Sequence, residues 1–198
     1  MTRSAAAEAI FAGGVVVLPT DTVYGLVADA REPAACDALY ALKGRDARKP
    51  SALIASSVSV LLAFVPELPV EIVRALLPGP YTLVLPNPAQ RFAWFCGEAP
   101  TSIGVRVPSM AGPGKVVLDE VGAVAATSAN LPGGAEPRRL DDVPAALRSA
   151  VAVVVDGGEL PGTPSTVIDL TGAVARVSRE GAGDSAAALA ILARLRLS

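Results

Sequence analysis

The stretch from Val15 to Leu26 joins an apolar run to a turn that is rich in hydroxyl groups. Its β-branched valines predict a buried strand, and Pro19, which has no N–H to donate to a sheet, marks the end of that strand. The strand therefore places Thr20, Asp21 and Thr22 together, where two hydroxyls and a carboxylate could bind a polar ligand. The same pattern is typical of an ordinary polar turn, so this stretch alone leaves both interpretations open.

A cationic cluster, residues 43–50, comes directly after a predicted helix. Its sequence, KGRDARKP, contains four cations and one anion. Guanidinium and ammonium groups on a glycine turn could bind phosphate or carboxylate oxygens. A charge run of this kind is also common on a solvent-exposed helix end or loop.

Three further polar motifs accompany predicted strands. Arg106 interrupts an apolar strand, from which it either points to solvent or, if buried, needs an anionic partner. Residues 125–130, AATSAN, place hydroxyls and an amide at the carboxyl end of a buried strand, where ligands of open α/β sheets bind. Residues 164–169, PSTVID, and Arg179 repeat this combination of hydroxyls and arginine. Turns or helix caps would explain the same residues without a ligand.

Histidine is absent from the 198 residues, which limits the chemistry that the chain can perform. A Ser-His-Asp or Cys-His nucleophile and zinc ligation by histidine are excluded, so lysine, arginine, carboxylates, hydroxyls and backbone dipoles remain. Neither a Walker A loop nor a Gly-x-Gly-x-x-Gly fingerprint is present, so a nucleotide would be bound in another way. Cys36 and Cys96 lack the spacing of a metal cluster and are expected to be structural.

Apolar periodicity predicts strands that alternate with helices. The predicted helices lie near residues 5–12, 33–43, 58–64, 70–77, 115–120 and 143–149, and a last one begins at residue 185. The first predicted strand follows residue 14, and the others lie near 51–55, 81–85, 102–107, 123–127, 151–155, 166–170 and 174–177. Alternation favours an α/β fold, while the hairpins near 81–107 and 166–177 add antiparallel neighbours. We therefore expect a single domain over residues 1–198, built on a twisted mixed parallel and antiparallel sheet with flanking helices.

The composition also bears on the location of the protein. The longest apolar runs are far shorter than a bilayer requires, and the N-terminal segment lacks the uninterrupted apolar core of a secretory signal, so we expect a cytoplasmic protein. The net charge of −2 and the pI near 5.2 argue against a surface that binds nucleic acid extensively.

The motifs PTDTVYGL, KGR with the later KP, GPYTLVL, GVRVP, TSAN, STVID and REG occur together in this order. On these motifs, over about residues 10–182, the chain resembles the YrdC-like threonylcarbamoyl-adenylate synthases, in their short single-domain form. The resemblance implies a mixed sheet around a concave, cationic cleft. It also implies condensation of L-threonine, bicarbonate and ATP to threonylcarbamoyl-AMP and pyrophosphate. Partner proteins would then transfer the threonylcarbamoyl group to adenosine 37 of tRNAs that read ANN codons.

The resemblance further implies site residues, position by position. L-Threonine would contact four side chains, namely Thr22, Arg106, Ser128 and Ser165. ATP would contact Arg45, Lys49, Ser102, Asn130 and Arg179, and Lys43 would line the same pocket and, with Arg45, be a candidate catalytic group. Mg²⁺ would bind through the ATP phosphates and need few protein ligands.

Some residues depart from the family pattern. Asp46 stands where a proline is common, Pro132 and Gly133 replace a serine-glycine pair, and Arg138 occupies a position where a hydroxyl can contact ATP.

Two alternative functions also remain. A non-catalytic module could bind double-stranded RNA or tRNA on the same surface, although the acidic pI and the scarcity of aromatic residues disfavour it. Carbamoyl transfer from another donor, as in hydrogenase-maturation proteins, is found in much longer chains.

Overall fold

The computed structural model describes residues 3–44, 46 and 49–195, and a mixed sheet forms its centre. The strands are β1 (Val16–Pro19), β2 (Tyr24–Asp29), β3 (Ala52–Ala55), β4 (Tyr81–Pro86), β5 (Ser102–Arg106), β6 (Ala123–Ser128), β7 (Val153–Val154), β8 (Thr166–Asp169) and β9 (Arg176–Arg179). They are arranged in the order β7-β1-β2-β6-β3-β5-β4-β8-β9. Three pairs, β1–β7, β3–β5 and β4–β8, are parallel, and the other neighbours are antiparallel. The predicted α/β class with a mixed sheet is confirmed.

Helices connect and cover these strands. They are α1 (Ala5–Phe11), α2 (Pro33–Lys43), α3 (Val58–Phe64), α4 (Val70–Leu76), α5 (Pro113–Val121), α6 (Ala145–Ala150) and α7 (Ser185–Leu195). Local chemistry sets several ends: the Ser4 hydroxyl accepts the Ala7 N–H at the start of α1, and α2 begins with Pro33 and ends at Gly44 in the left-handed conformation. In the part of the chain that the structure describes, no helix has the length and hydropathy that a bilayer-spanning helix needs.

Apolar side chains pack on both faces of the sheet. On one face, Ile10 of α1 and Leu118 of α5 belong to the cluster that covers β1, β2 and β6. On the other face, Leu39 of α2 and Leu147 of α6 pack with β1 and β2. A third cluster joins α3, α4 and α7 to β3, β4, β5 and β8. The central strands are therefore held rigidly, and the polar residues at their ends have defined positions.

Two strands differ from the prediction. β2 was not predicted, because all six of its residues are buried and a strand covered on both faces lacks the alternating pattern; Gly25 and Asp29 also have low strand propensity. The strand predicted at 151–155 is shorter than expected. β7 covers only Val153 and Val154, at the edge of the sheet. Hydrogen bonds from the Ala152 N–H to the Val15 carbonyl oxygen and from the Val155 N–H to the Val17 carbonyl oxygen flank it.

Candidate active site

A cleft with a volume of about 300 Å³ lies among the polar strand ends, and we call it the main cleft. It is lined by residues from β2, β3, β4, β5, β6 and β8 and from the segments beside them. Five of the residues implied by the family resemblance line it, namely Ser102, Arg106, Ser128, Ser165 and Arg179. The fold thus brings together groups that are up to 77 positions apart in the sequence.

A second hollow, which we call the lysine hollow, adjoins the main cleft and has a volume of about 310 Å³. Lys43, Lys49 and Asn130 line it, and Ser128 lines both hollows, so the two are neighbours. Lys49 and Asn130 are the other implied ATP contacts that the structure describes, and Lys43 is the implied pocket-lining residue. Arg45, the remaining candidate for ATP binding and catalysis, lies outside the described residues.

Arg106 joins the main cleft to the turn that follows β1. Its Nη2 atom forms an ion pair with Asp21 and donates to Thr22 Oγ1 at 2.8 Å. Asp21 also accepts the Ser109 N–H at 2.9 Å, so the carboxylate is held from two sides. Burial lowers the pKa of Arg106 from its ordinary value, and the charge of Asp21 acts in the opposite direction. The sequence alternative of a solvent-facing arginine is wrong, because the arginine is buried and has the anionic partner that burial requires.

Thr22 lies beneath the main cleft rather than on its surface. Its side chain is fully buried, and its hydroxyl contacts Arg106 Nη2 and the Thr20 hydroxyl. Thr20 itself lines the cleft and donates to the Val23 carbonyl oxygen at 2.7 Å. The hydroxyl-rich turn is therefore rigid, and Thr22 supports the guanidinium that borders the cleft.

Lys43 holds the TSAN segment in place. The ammonium group is at the end of α2, and the residue is only 3% exposed. Its Nζ donates to Thr127 Oγ1 at 3.1 Å, to Asn130 Oδ1 at 3.1 Å and also to the backbone carbonyl of Ser128. One cation thus fixes three of the four TSAN residues at the boundary between the main cleft and the lysine hollow. Asn130 Oδ1 also accepts the Ser128 hydroxyl at 2.7 Å.

Ser165 and Arg179 form another part of the wall of the main cleft. The Arg179 guanidinium donates twice to the Ser165 carbonyl oxygen, at 2.8 and 3.1 Å. Its Nη2 also lies 3.2 Å from the Ser165 hydroxyl, which is 2.8 Å from the Thr82 hydroxyl on β4. These bonds connect β4, β8 and β9, so the position of the Ser165 hydroxyl depends on the packing of all three strands.

Gly181 allows this wall to form, and its substitution provides a stability test. A Cβ atom at Gly181 would lie 2.3 Å from the carbonyl oxygen of Pro164 and 2.5 Å from the carbonyl carbon of Ser165, both rigid backbone atoms. We therefore expect Gly181→Ala to lower the free energy of unfolding by about 1–3 kcal/mol, as over-packing does. Chemical denaturation measures the change, and Gly172→Ala, where the nearest atom is 3.8 Å away, is the control. Equal stabilities for the two variants would contradict this tight backbone contact.

Sequence reasoning missed three residues that border the main cleft, and it did not pair Asp21, which was already a candidate, with Arg106. Ser51, Thr82 and Glu136 line the cleft, and Asp21 pairs with Arg106. Thr82 lies in the motif GPYTLVL, but neither periodicity nor composition indicated that its hydroxyl meets Ser165. Arg138, one of the departures from the family pattern, forms an ion pair with Glu159 on the surface.

The described residues also narrow the chemistry of this site. No group of three or more histidine, cysteine, aspartate or glutamate side chains among them could hold a metal ion. Cys36 and Cys96 are buried, and burial raises the pKa of Cys36 to about 12 and of Cys96 to about 11. Neither thiol is a reactive thiolate near neutral pH. Two guanidinium groups, the Glu136 carboxylate and several hydroxyls are therefore the polar side-chain groups that line the main cleft.

Comparison with known proteins identifies the family. The model of the Sua5/YciO/YrdC family, described as telomere recombination, matches residues 8–181. A Mycobacterium tuberculosis protein, provisionally named a threonylcarbamoyl-AMP synthase, is 38% identical over 181 residues, which cover 89% of this chain and 82% of the relative. The human protein named threonylcarbamoyl-AMP synthase is 34% identical over 177 residues, covering 85% of this chain and 62% of its own length.

A solved structure supports the same assignment. The crystal structure of Pyrococcus abyssi Sua5 complexed with L-threonine is similar to this fold with a TM-score of 0.75 and 31% identity, over 89% of this chain and 53% of that chain. The family match covers most of the sequence, and the identities exceed 30% over most of its length. The chain therefore belongs to the Sua5/YciO/YrdC family.

Proposed function

We propose that this protein is a threonylcarbamoyl-AMP synthase, a nucleotidyltransferase that condenses L-threonine, bicarbonate and ATP. The names of its relatives support this activity. The observation that carries the proposal is the arrangement of cations: two arginines and several hydroxyls line the main cleft, and two lysines line the hollow that adjoins it. A carboxylate and a polyphosphate can thus bind side by side.

The amino acid would bind in the main cleft. Arg106 is buried beside the cleft and its Nε has no protein partner, so it can donate to the α-carboxylate of threonine. The hydroxyls of Ser128 and Ser165 line the same cleft and can bond the remaining polar groups of the substrate. Thr22 would act through Arg106, which its hydroxyl orients.

ATP would extend from the main cleft into the lysine hollow. Lys43, Lys49 and Asn130 lie there, while Ser102 and Arg179 border the cleft. We also assign Arg45 to the phosphates, on the family resemblance.

The reaction forms two bonds in turn. The amine nitrogen bonds to the carbon of bicarbonate and water leaves. A carbamate oxygen then bonds to the α-phosphorus as the bond between the α-phosphorus and pyrophosphate breaks. Charge builds on phosphate oxygens, and fixed cations stabilise it without an imidazole.

Mg²⁺ would assist by neutralising phosphate charge. Because the described residues contain no cluster of three metal-ligating side chains, they fit an ion that is held chiefly by the phosphates and water. The protein's own part is to position the oxygens to which the ion binds.

We propose that the product is consumed by proteins that transfer the threonylcarbamoyl group to adenosine 37 of ANN-reading tRNAs.

Substrate dependence tests the proposed function. We expect release of pyrophosphate from ATP to require both L-threonine and bicarbonate, because the carbamate that attacks the α-phosphorus contains both. A coupled pyrophosphate assay measures the rate, and mass spectrometry identifies threonylcarbamoyl-AMP. Equal release with serine, or with no amino acid, would contradict the proposal. Salt-dependent RNA binding without ATP turnover would support the non-catalytic alternative instead.

A further inference from the structure

Three buried polar atoms of the main cleft lack partners within the described part of the protein. Among the described side chains, four contain a buried nitrogen or oxygen without a hydrogen-bond partner, and three of these atoms belong to residues that line the cleft. They are Ser51 Oγ, Arg106 Nε and Glu136 Oε2. An unpaired buried polar group lowers the free energy of unfolding by about 1–3 kcal/mol. The presence of three such groups in one cleft therefore indicates that the cleft binds a polar ligand.

The three atoms differ in what they can bind. Arg106 Nε is a charged donor, Glu136 Oε2 is a charged acceptor when ionised, and Ser51 Oγ is a hydroxyl that can do either. A hydroxy amino acid carries the complementary set: an anionic carboxylate, a cationic ammonium group and a hydroxyl. Glu136 is also the one carboxylate among the described residues that line the main cleft, where the other charged residues are Arg106 and Arg179.

The backbone around Glu136 is fixed on both sides. Two residues before it, the Gly134 carbonyl oxygen accepts Asn130 Nδ2 at 2.7 Å. One residue after it, the Pro137 carbonyl oxygen accepts the Tyr24 N–H at 2.9 Å. The loop therefore presents the carboxylate from a defined position, and it is tied to Asn130, which Lys43 also holds.

We propose that Glu136 accepts a hydrogen bond from the α-ammonium group of the amino-acid substrate and thereby selects amino acids over their des-amino analogues. This inference rests on the proposed function, because it concerns the same substrate. The pair of opposite charges, Arg106 and Glu136, recognises the two ends of the zwitterion. A substrate that lacks the ammonium group would leave the Glu136 carboxylate buried without a partner, which makes its rejection strong.

Calorimetric titration of the wild-type protein with two ligands gives the first test. L-Threonine and 3-hydroxybutyrate differ by the α-ammonium group, and we expect threonine to bind at least about tenfold more tightly. Glu136→Gln, which keeps the shape and removes the charge, should weaken threonine binding about ten- to a hundredfold and should not weaken 3-hydroxybutyrate binding. Titration with Mg-ATP should give the same affinity for both proteins. Glu67→Gln, at an exposed ion pair, is the matched control and should bind threonine as the wild type does.

Each outcome has a distinct meaning. Equal affinity of the wild type for both ligands overturns the inference, and this comparison holds even if the variant does not fold. A Glu136→Gln protein that binds threonine normally overturns it as well. Weaker Mg-ATP binding with unchanged threonine binding would assign Glu136 to a metal ion instead, which also overturns it. If the wild type binds no threonine at all, the proposed function itself fails.

Discussion

Replacing Arg106 with alanine is expected to lower the free energy of unfolding by about 3–5 kcal/mol and to weaken threonine binding about ten- to a hundredfold. The side chains of Arg106 and Asp21 are 7% and 8% exposed, so removal of the guanidinium leaves a buried carboxylate without its counter-ion. The Ser109 N–H still donates to Asp21, but a neutral donor does not replace a cation. Urea denaturation and calorimetric titration with L-threonine measure the two effects.

Two further variants separate the stability effect from the binding effect. Arg91→Ala breaks an ion pair with Glu67 on the surface, so it should leave both threonine affinity and the unfolding transition nearly unchanged. Adding Asp21→Asn to Arg106→Ala removes the unpaired charge and should recover part of the stability without recovering binding. An Arg106→Ala protein that unfolds and binds threonine like the wild type would contradict both the buried ion pair and the proposed carboxylate contact.

Local chemistry explains why much of this fold could be predicted. Pro33 and Gly44 bound α2 as expected, because a proline at a helix start and a left-handed glycine at its end act through neighbouring residues alone. The change from apolar to polar residues at Ser128 likewise marks the end of β6. These helix and strand ends are set by residues within about one turn of helix or one strand. The mixed sheet could be predicted because the antiparallel pairs β4–β5 and β8–β9 join strands that are consecutive in the chain.

Contacts across the sheet could not be predicted in the same way. Asp21 and Arg106 are separated by 85 positions, and Thr82 and Ser165 by 83, so their meeting depends on strand order and register. Residue types show that a buried arginine needs an anion but not which carboxylate supplies it. Glu136 was missed for a related reason: it lies in a loop without periodicity. Hydrogen bonds from Asn130 Nδ2 and from the Tyr24 N–H to carbonyl oxygens on either side of Glu136 fix that loop.

Lys43 is the second position at which a large effect is expected. Lys43→Met keeps much of the aliphatic length but removes the ammonium group, which donates to Thr127, Ser128 and Asn130. Lys43 is only 3% exposed, so loss of these bonds leaves its buried acceptors unpaired. We therefore expect the free energy of unfolding to fall by about 1–3 kcal/mol. Because the same segment borders the lysine hollow, ATP affinity should fall about ten- to a hundredfold.

Lys115→Met is the matched control, because Lys115 pairs with Asp119 on the surface of α5 and lines neither hollow. It should leave ATP binding unchanged, as measured by titration with a non-hydrolysable ATP analogue.

Reduced stability of Lys43→Met with normal ATP affinity and normal kcat would show that the lysine only stabilises the TSAN segment. A lower kcat with normal affinity for the analogue would mean that the cation acts on charge that develops in the transition state, rather than on bound ATP. The position of Lys43 between the two hollows predicts instead that ATP affinity and stability fall together, since one ammonium group serves both.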